Sequence, residues 1–178
     1  MEFINEELQM NNAQKWYENE YSQDTESAQR KWPNEELARF IGRTYGDVSI
    51  HQRKEVSILE VGCGSGANIR LLIEEGFDVY GLDFSPTAID YCRKRYPNGQ
   101  YTIADMTNTP YENCCFDCIV DVFSAYCFDR LTFENSFLHE IYRILKPGGR
   151  FFSYTPSLNS DAWKIHAPAE KLDDRTLR

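Results

Sequence analysis

The segment ILEVGCGSGA, residues 58–67, limits the fold more than any other stretch of the chain. Strand-forming residues run directly into glycines at positions 62, 64 and 66. Glycine takes left-handed backbone angles without steric cost and lets other atoms come close to the main chain. The residues that follow, ANIRLLIEEG, have helix-forming composition and close on Gly76. A strand, a tight glycine turn and a helix in that order open a β-α-β unit. In an open α/β sheet, ligands bind at the carboxyl ends of the strands, which is where this turn lies.

The alternation continues downstream. DVYGLD reads as a second strand, and SPTAIDYCRKRYP as a helix with Ser85 as N-cap and Pro86 at its first position. GQYTIAD and FDCIVDVFS read as the third and fourth strands. LTFENSFLHEIYRILKPGG predicts a helix with Phe137, Leu138, Ile141, Ile144 and Leu145 on one face, stopped by Pro147-Gly148-Gly149. RFFSYTP is a fifth strand. Strands separated by helix-length segments imply crossover connections and a mostly parallel sheet. Residues 1–50 are polar and helical in pattern. PNEELARFIGRTYG places Leu37, Phe40 and Ile41 on one helix face, with Gly42 or Gly46 as the stop. The expected organisation is a helical extension or lid over residues 1–50 and an α/β ligand-binding domain over residues 51–178.

With 178 residues, 42% of them hydrophobic, the chain can bury the core of one domain. No apolar run has the length that crosses a bilayer, and MEFINEELQMNN lacks the basic and apolar regions of a secretory signal, so a cytoplasmic location and no membrane partner are expected. The net charge of −9 opposes binding to a phosphate backbone. The six cysteines read as free thiols in a chain of this kind. Cys115-Phe116-Asp117-Cys118 is formally a C-x-x-C, but it opens an apolar strand and has no second pair and no nearby histidine pair, so no metal is expected.

Two cofactors fit the glycine turn. Gly62, Gly64 and Ala67 satisfy G-x-G-x-x-[G/A], and Asp83 follows about 20 residues later, as in dinucleotide binding. A tight turn with no ligand is the plain structural alternative. Glu60 shifts the balance by giving E-x-G-x-G-x-G. A carboxylate there repels a pyrophosphate and suits a cationic amine or sulfonium. Asp105, in YTIADMTN, is a second acid on the same sheet edge and a good partner for a purine amino group. Met106 beside it can lie against a flat ring, and ILKPGGRFF supplies a helix–turn–strand into the last strand.

Taken in order, EVGCGSG, GLDFSPTAI, ADMTN, FDCIVDVFS and LKPGGRFF resemble the class I S-adenosylmethionine-dependent methyltransferases over roughly residues 55–155. The resemblance implies an α/β, Rossmann-like three-layer sandwich with a mostly parallel sheet, and S-adenosylmethionine as cofactor. It implies that Gly62, Gly64 and Gly66 let the backbone approach the methionine part, with Cys63 and Ser65 lining the loop. Glu60 would act on the amino end, directly or through water. Asp83 would accept from both ribose hydroxyls, with Phe84 beside the adenine. Asp105 would meet the adenine amino group, with the Met106 backbone nearby, and Asp121 and Val122 would border the sulfonium and the acceptor. Each acid also has a structural reading: Asp83 as a cap of the next helix, Asp105 as a loop acid, Asp121 as a buried, paired strand residue.

The implied reaction is an in-line displacement at a methyl carbon that the sulfonium has already activated. The protein then mainly positions two reactants and excludes water. A general base is needed only where the acceptor must lose a proton. His166 and Tyr126 are weak candidates for it; His51 precedes the first strand and His139 lies on the last helix. Trp16, Tyr17, Tyr21 and Trp32 either cover the acceptor or simply pack the leading helices onto the sheet, and packing is slightly preferred. NTPY at 108–111 resembles the N-P-P-Y of amino-methylating DNA enzymes but precedes the fourth strand instead of following it, and no Pro-Cys pair follows that strand. A small-molecule acceptor is therefore the leading expectation, a protein acceptor comes second, and nucleic acid is not expected.

Members of this family add two further strands after the fifth. Here only the polar SLNSDAWKIHAPAEKLDDRTLR follows FFSYTP, so those strands are expected to be missing and the edge of the fifth strand to be unpaired. A truncated enzyme, a partner chain over that edge, or a non-catalytic cofactor- or partner-binding protein would each account for it. A nicotinamide-dependent oxidoreductase is the remaining alternative.

Overall fold

The computed structural model describes residues 12–23 and 31–156. Its sheet has five parallel strands: β1 (Ser57–Val61), β2 (Asp78–Asp83), β3 (Gln100–Ile103), β4 (Phe116–Val122) and β5 (Leu145–Tyr154). Their spatial order is β3-β2-β1-β4-β5. The chain therefore moves outward from β1 to β3, then crosses back to β4 on the other side of β1. That reversal leaves a crevice at the carboxyl ends of β1 and β4. The α/β Rossmann-like reading holds, and all four strand pairs are parallel.

Helices cover both faces because the strands alternate their side chains. Ile58, Val79, Cys118 and Val120 face one side, where they meet Leu37 and Ile41 of α2 (Glu35–Tyr45), Ile69 and Leu72 of α4 (Ala67–Glu74), and Ile89 of α5 (Pro86–Arg95). Leu59, Val61, Leu82 and Ile119 face the other side, against Phe137, Ile141 and Ile144. The helix α1 (Asn12–Gln23) precedes this framework, and a single capped turn, α3 (Ile50–Arg53), leads into β1.

The capping residues act as their types dictate. Asn34 caps α2, its Oδ1 accepting from the Glu36 and Leu37 amides at 2.9 and 3.2 Å. Gly46, and not Gly42, forms the C-cap of that helix. Ser85 caps α5, accepting the Ala88 amide at 3.0 Å, with Pro86 at the first helical position.

Two local details differ from the sequence pattern. The segment expected as one helix is divided into α6 (Arg130–Thr132), a π-turn at Phe133–Phe137 and α7 (Leu138–Ile144). The wide turn lets Phe133 and Phe137 lie 5.6 Å apart and Phe128 pack 5.7 Å from Phe137. The last strand also begins earlier than expected. Leu145 already pairs with Phe116, the Pro147-Gly148-Gly149 turn then bulges out, and Arg150 rejoins the ladder opposite Cys118. The expectations for residues 157–178, His166 and the missing strands among them, lie outside the described residues. Among those described, no helix is long and apolar enough to cross a membrane.

Candidate cofactor site

The glycine turn after β1 sits in left-handed backbone geometry at three places: Gly62 (φ 66°), Gly64 (φ 51°) and Gly66 (φ 88°). Side-chain packing adds to that requirement at Gly62. A Cβ there would lie 2.1 Å from Ser124 Oγ, which donates to the Gly62 carbonyl at 3.2 Å. Gly66 answers to α5 instead, since a Cβ on it would meet the Tyr96 ring and Cys92 Sγ at 2.9–3.0 Å.

Behind the turn stand the strand-end acids. Glu60, on β1, is 2% exposed. Its Oε1 accepts from Asn68 Nδ2 at 2.7 Å, and its Oε2 is buried with no hydrogen-bond partner among the described residues. Burial, with smaller contributions from Asp121 and Asp83, pushes its carboxyl up to about 8 against the opposing Asn68 bond. Asp83 ends β2. It takes the Gly64 amide on Oδ2 at 2.8 Å and the Ser85 amide on Oδ1 at 3.0 Å, which ties the glycine turn to the start of α5. Burial raises it to about 6, opposed by those amides. Asp105 closes an Asx turn, its Oδ1 accepting the Thr107 amide and hydroxyl at 2.8 and 2.7 Å. Asp121 is fully buried. It takes the Ser124 and Ala125 amides on Oδ1 at 3.0 and 3.1 Å and the Ser153 hydroxyl on Oδ2 at 2.7 Å. Burial raises its pKa as well.

These elements enclose a cavity of about 800 Å³. Glu60, Gly62, Cys63, Gly64, Ser65, Asp83, Phe84, Asp105, Met106 and Val122 all wall it. Gly66 and Asp121, expected at the same ligand, are not part of the wall; their contacts are those of a helix cap and a strand clip. Tyr126 lines the cavity, whereas the exposed His51 and His139 do not.

The N-terminal aromatics reach the cavity too. Tyr17, Tyr21 and Trp32 line it, although Trp32 is 77% exposed; the Trp16 side chain lies outside the described residues. The Tyr17 hydroxyl is 3.1 Å from that of Tyr126 and 3.7 Å from Cys127 Sγ, and its ring meets Phe84 edge-on at 6.3 Å. Burial, then Cys127 and Tyr126, hold the Tyr17 phenol well above its ordinary pKa. After β4 the backbone of Phe123 is left-handed (φ 61°), an uncommon state for a bulky residue. Its amide bonds to the Tyr154 carbonyl at 2.9 Å, and its ring meets that of Tyr154 at 5.2 Å.

Sequence reasoning did not pick out Asn68 or Ser124. An asparagine at the second position of the helix after the glycines, and a serine just past β4, were the available signals. Among the described residues, no three His, Cys, Asp or Glu side chains gather closely enough to hold a metal ion.

Residues 59–153 match a family model described as a methyltransferase domain. The phthiotriol/phenolphthiotriol dimycocerosates methyltransferase of Mycobacterium leprae is 28% identical over 152 residues, covering 82% of this chain and 54% of that protein. The fatty-acid O-methyltransferase of Mycolicibacterium smegmatis is 28% identical over 155 residues, covering 81% and 55%. The chain thus spans about half the length of the curated relatives it matches. The crystal structure of geranyl diphosphate C-methyltransferase from Streptomyces coelicolor, solved with Mg2+, geranyl diphosphate and S-adenosyl-L-homocysteine, shares the fold with a TM-score of 0.55 at 21% identity, over 66% of this chain and 42% of that one. A family model that covers over half of the chain, on a sheet whose first two strands end in buried acids around a glycine turn, establishes that the protein belongs to the class I S-adenosylmethionine-dependent methyltransferases.

Proposed function

We propose that this protein transfers a methyl group from S-adenosylmethionine to a small-molecule acceptor, and that the cavity at the carboxyl ends of β1, β2 and β4 is the cofactor site. One observation carries the cofactor assignment. Glu60 Oε2 is buried at the cavity wall without a hydrogen-bond partner among the described residues. A buried, half-satisfied carboxyl is costly, and a cationic ligand offsets that cost. The ammonium of the cofactor's methionine part is such a cation, whereas a pyrophosphate would add repulsion.

The other wall residues fit the rest of the molecule. Both Asp83 oxygens already hold backbone amides, and each retains a lone pair for a ribose hydroxyl. Phe84 and Met106 offer faces to a flat base, and Asp105 keeps one carboxylate oxygen for its amino group. The bound cofactor supplies a methyl group made electrophilic by its sulfonium. The work left to the chain is to hold the reactants in line and exclude water. Tyr17, kept protonated by burial, acts as a hydrogen-bonding group and not as a base. The small-molecule reading draws support from the two relatives, a fatty-acid O-methyltransferase and a methyltransferase of phthiotriol dimycocerosates.

The test is a calorimetric titration of the folded chain with S-adenosylhomocysteine. Binding that weakens at least tenfold in Asp83→Ala, with no binding of the oxidised nicotinamide dinucleotide, is the expected result. A folded chain that binds neither compound would overturn the assignment.

A further inference from the structure

Glu18 lies on α1 between the cavity-lining Tyr17 and Tyr21, is not itself part of the wall, and points at a different target. Its two carboxylate oxygens each accept a hydroxyl from the start of α5: Ser85 Oγ donates to Oε2, and Thr87 Oγ1 donates to Oε1 at 2.5 Å. Ser85 and Thr87 are the N-cap and second residue of a ten-residue helix, where a carboxylate is also favoured by the helix dipole. The chain of bonds goes further. The Ser85 amide donates to Asp83 Oδ1, and Asp83 Oδ2 takes the Gly64 amide. Glu18 is thus joined through one side chain and one carboxylate to the glycine turn.

The neighbours of Glu18 on α1 close over the same region. Tyr17 and Tyr21, four residues apart and so on one helix face, both wall the cavity. The Tyr21 hydroxyl fills the space beside Gly64, 2.7 Å from where a Cβ would stand. Tyr17 bridges from Phe84, next to Asp83, to Tyr126 beyond β4. A helix placed this way forms part of the wall of the cavity that also holds Glu60 and Asp83, and Glu18 is its carboxylate attachment to the framework.

We infer that α1 is a lid that must detach for the cofactor product to leave, and that Glu18, through its paired hydroxyl bonds to Ser85 and Thr87, is the positioning residue that latches it. This rests on the cofactor assignment above. Glu18 is not part of the cavity wall; it sets how long the site stays closed. Hydrogen bonds to a charged acceptor are among the stronger ones, so losing this latch changes the release rate by about an order of magnitude.

Stopped-flow displacement of S-adenosylhomocysteine from the full chain reads this directly. Glu18→Ala is expected to raise the dissociation rate about tenfold with little change in the association rate. Glu18→Gln, which keeps one acceptor oxygen, falls between it and the wild type. Thr87→Val raises the rate on its own and adds nothing in the Glu18→Ala background. A dissociation rate within twofold of wild type in Glu18→Ala, or independent multiplication of the two effects, would overturn the latch. Hydrogen–deuterium exchange of the ligand-free protein gives a readout that does not depend on the cofactor. The α1 amides exchange faster in Glu18→Ala while β1, β2 and β4 are unchanged, and equal exchange in α1 overturns the inference. A wild-type chain that binds no S-adenosylhomocysteine but shows the exchange difference would instead retain the latch and remove the cofactor assignment.

Discussion

Asn68 donates to Glu60 Oε1 at 2.7 Å and, on its own Oδ1, accepts the Asn34 amide at 2.8 Å. One side chain thus joins the acid of β1 to the start of α2, and it leaves Glu60 Oε2 as the unmatched atom. With its pKa pushed up to about 8 from 4.5, Glu60 keeps a proton in the folded protein that the unfolded chain releases across that interval. Stability from this group is therefore fully present below about pH 4.5 and is lost as pH rises through 8. Asp83, raised to about 6 from 3.8, acts in the same direction over its own window. Thermal melts of the ligand-free protein should show Glu60→Gln gaining on wild type between pH 5 and 8, by a few kcal/mol at the alkaline end. A constant difference across that range would mean that Glu60 is ionised throughout.

Ligand binding should reverse this protonation. An ammonium placed against Glu60 Oε2 favours the carboxylate, so binding of S-adenosylhomocysteine near pH 7 should release a proton. Calorimetry in two buffers of different ionisation enthalpy measures the release. It should vanish in Glu60→Gln, together with part of the affinity. No buffer dependence in the wild type would place the ammonium elsewhere.

The glycine turn separates two kinds of constraint. Alanine at 62 would meet Ser124 Oγ at 2.1 Å and Cβ at 2.5 Å, in addition to the left-handed backbone cost of about 1–2 kcal/mol. Alanine at 64 would meet the tip of Tyr21, which can swing away. Urea denaturation should rank Gly62→Ala as the more destabilising. Combining Ser124→Gly with Gly62→Ala should recover the packing part of the loss and leave the backbone part. Equal losses at 62 and 64 would show that backbone conformation alone sets the cost.

Asp121 is expected to matter for stability more than for ligand contact. Alanine there strands two buried amides and the Ser153 hydroxyl. Removing a carboxylate that satisfies several donors costs about 3 kcal/mol. Ser153→Ala, which removes one of the bonds, should cost about 1 kcal/mol. Chemical denaturation measures both, and calorimetry on the folded fraction should find cofactor affinity changed less than fivefold. A larger affinity loss would place Asp121 at the ligand after all.

What the sequence revealed divides along the distance between interacting residues. The strand–helix alternation, the Ser85 cap and the position of the glycine turn rest on neighbours within a few residues, and each was readable. The clip that Ser124 places on Gly62 spans 62 positions, and the Glu18 bonds to Ser85 and Thr87 span 67 and 69. No local pattern encodes such pairs, so the acids were legible as acids while their partners were not. Asp121 illustrates the ambiguity. Its place at the end of β4 fits a ligand contact and a buried clip equally well, and the three donors that make the clip come from residues the local pattern does not mark. The π-turn was hidden for a related reason: the apolar spacing from Phe137 to Ile144 is helical, and the wide turn before it is dictated by how Phe128, Phe133 and Phe137 share space.

The crowding of Glu60, Asp83 and Asp121 at adjacent strand ends has a consequence for the protein's life in a cell. A framework that holds an unmatched acid at one end gains stability as the logarithm of the cation-bearing ligand's concentration relative to its Kd. The surviving amount of this protein should then follow the supply of that ligand, because the unliganded chain spends more time unfolded and open to proteolysis. Abundance and ligand supply would be coupled through the one unmatched oxygen of Glu60, with no separate sensor.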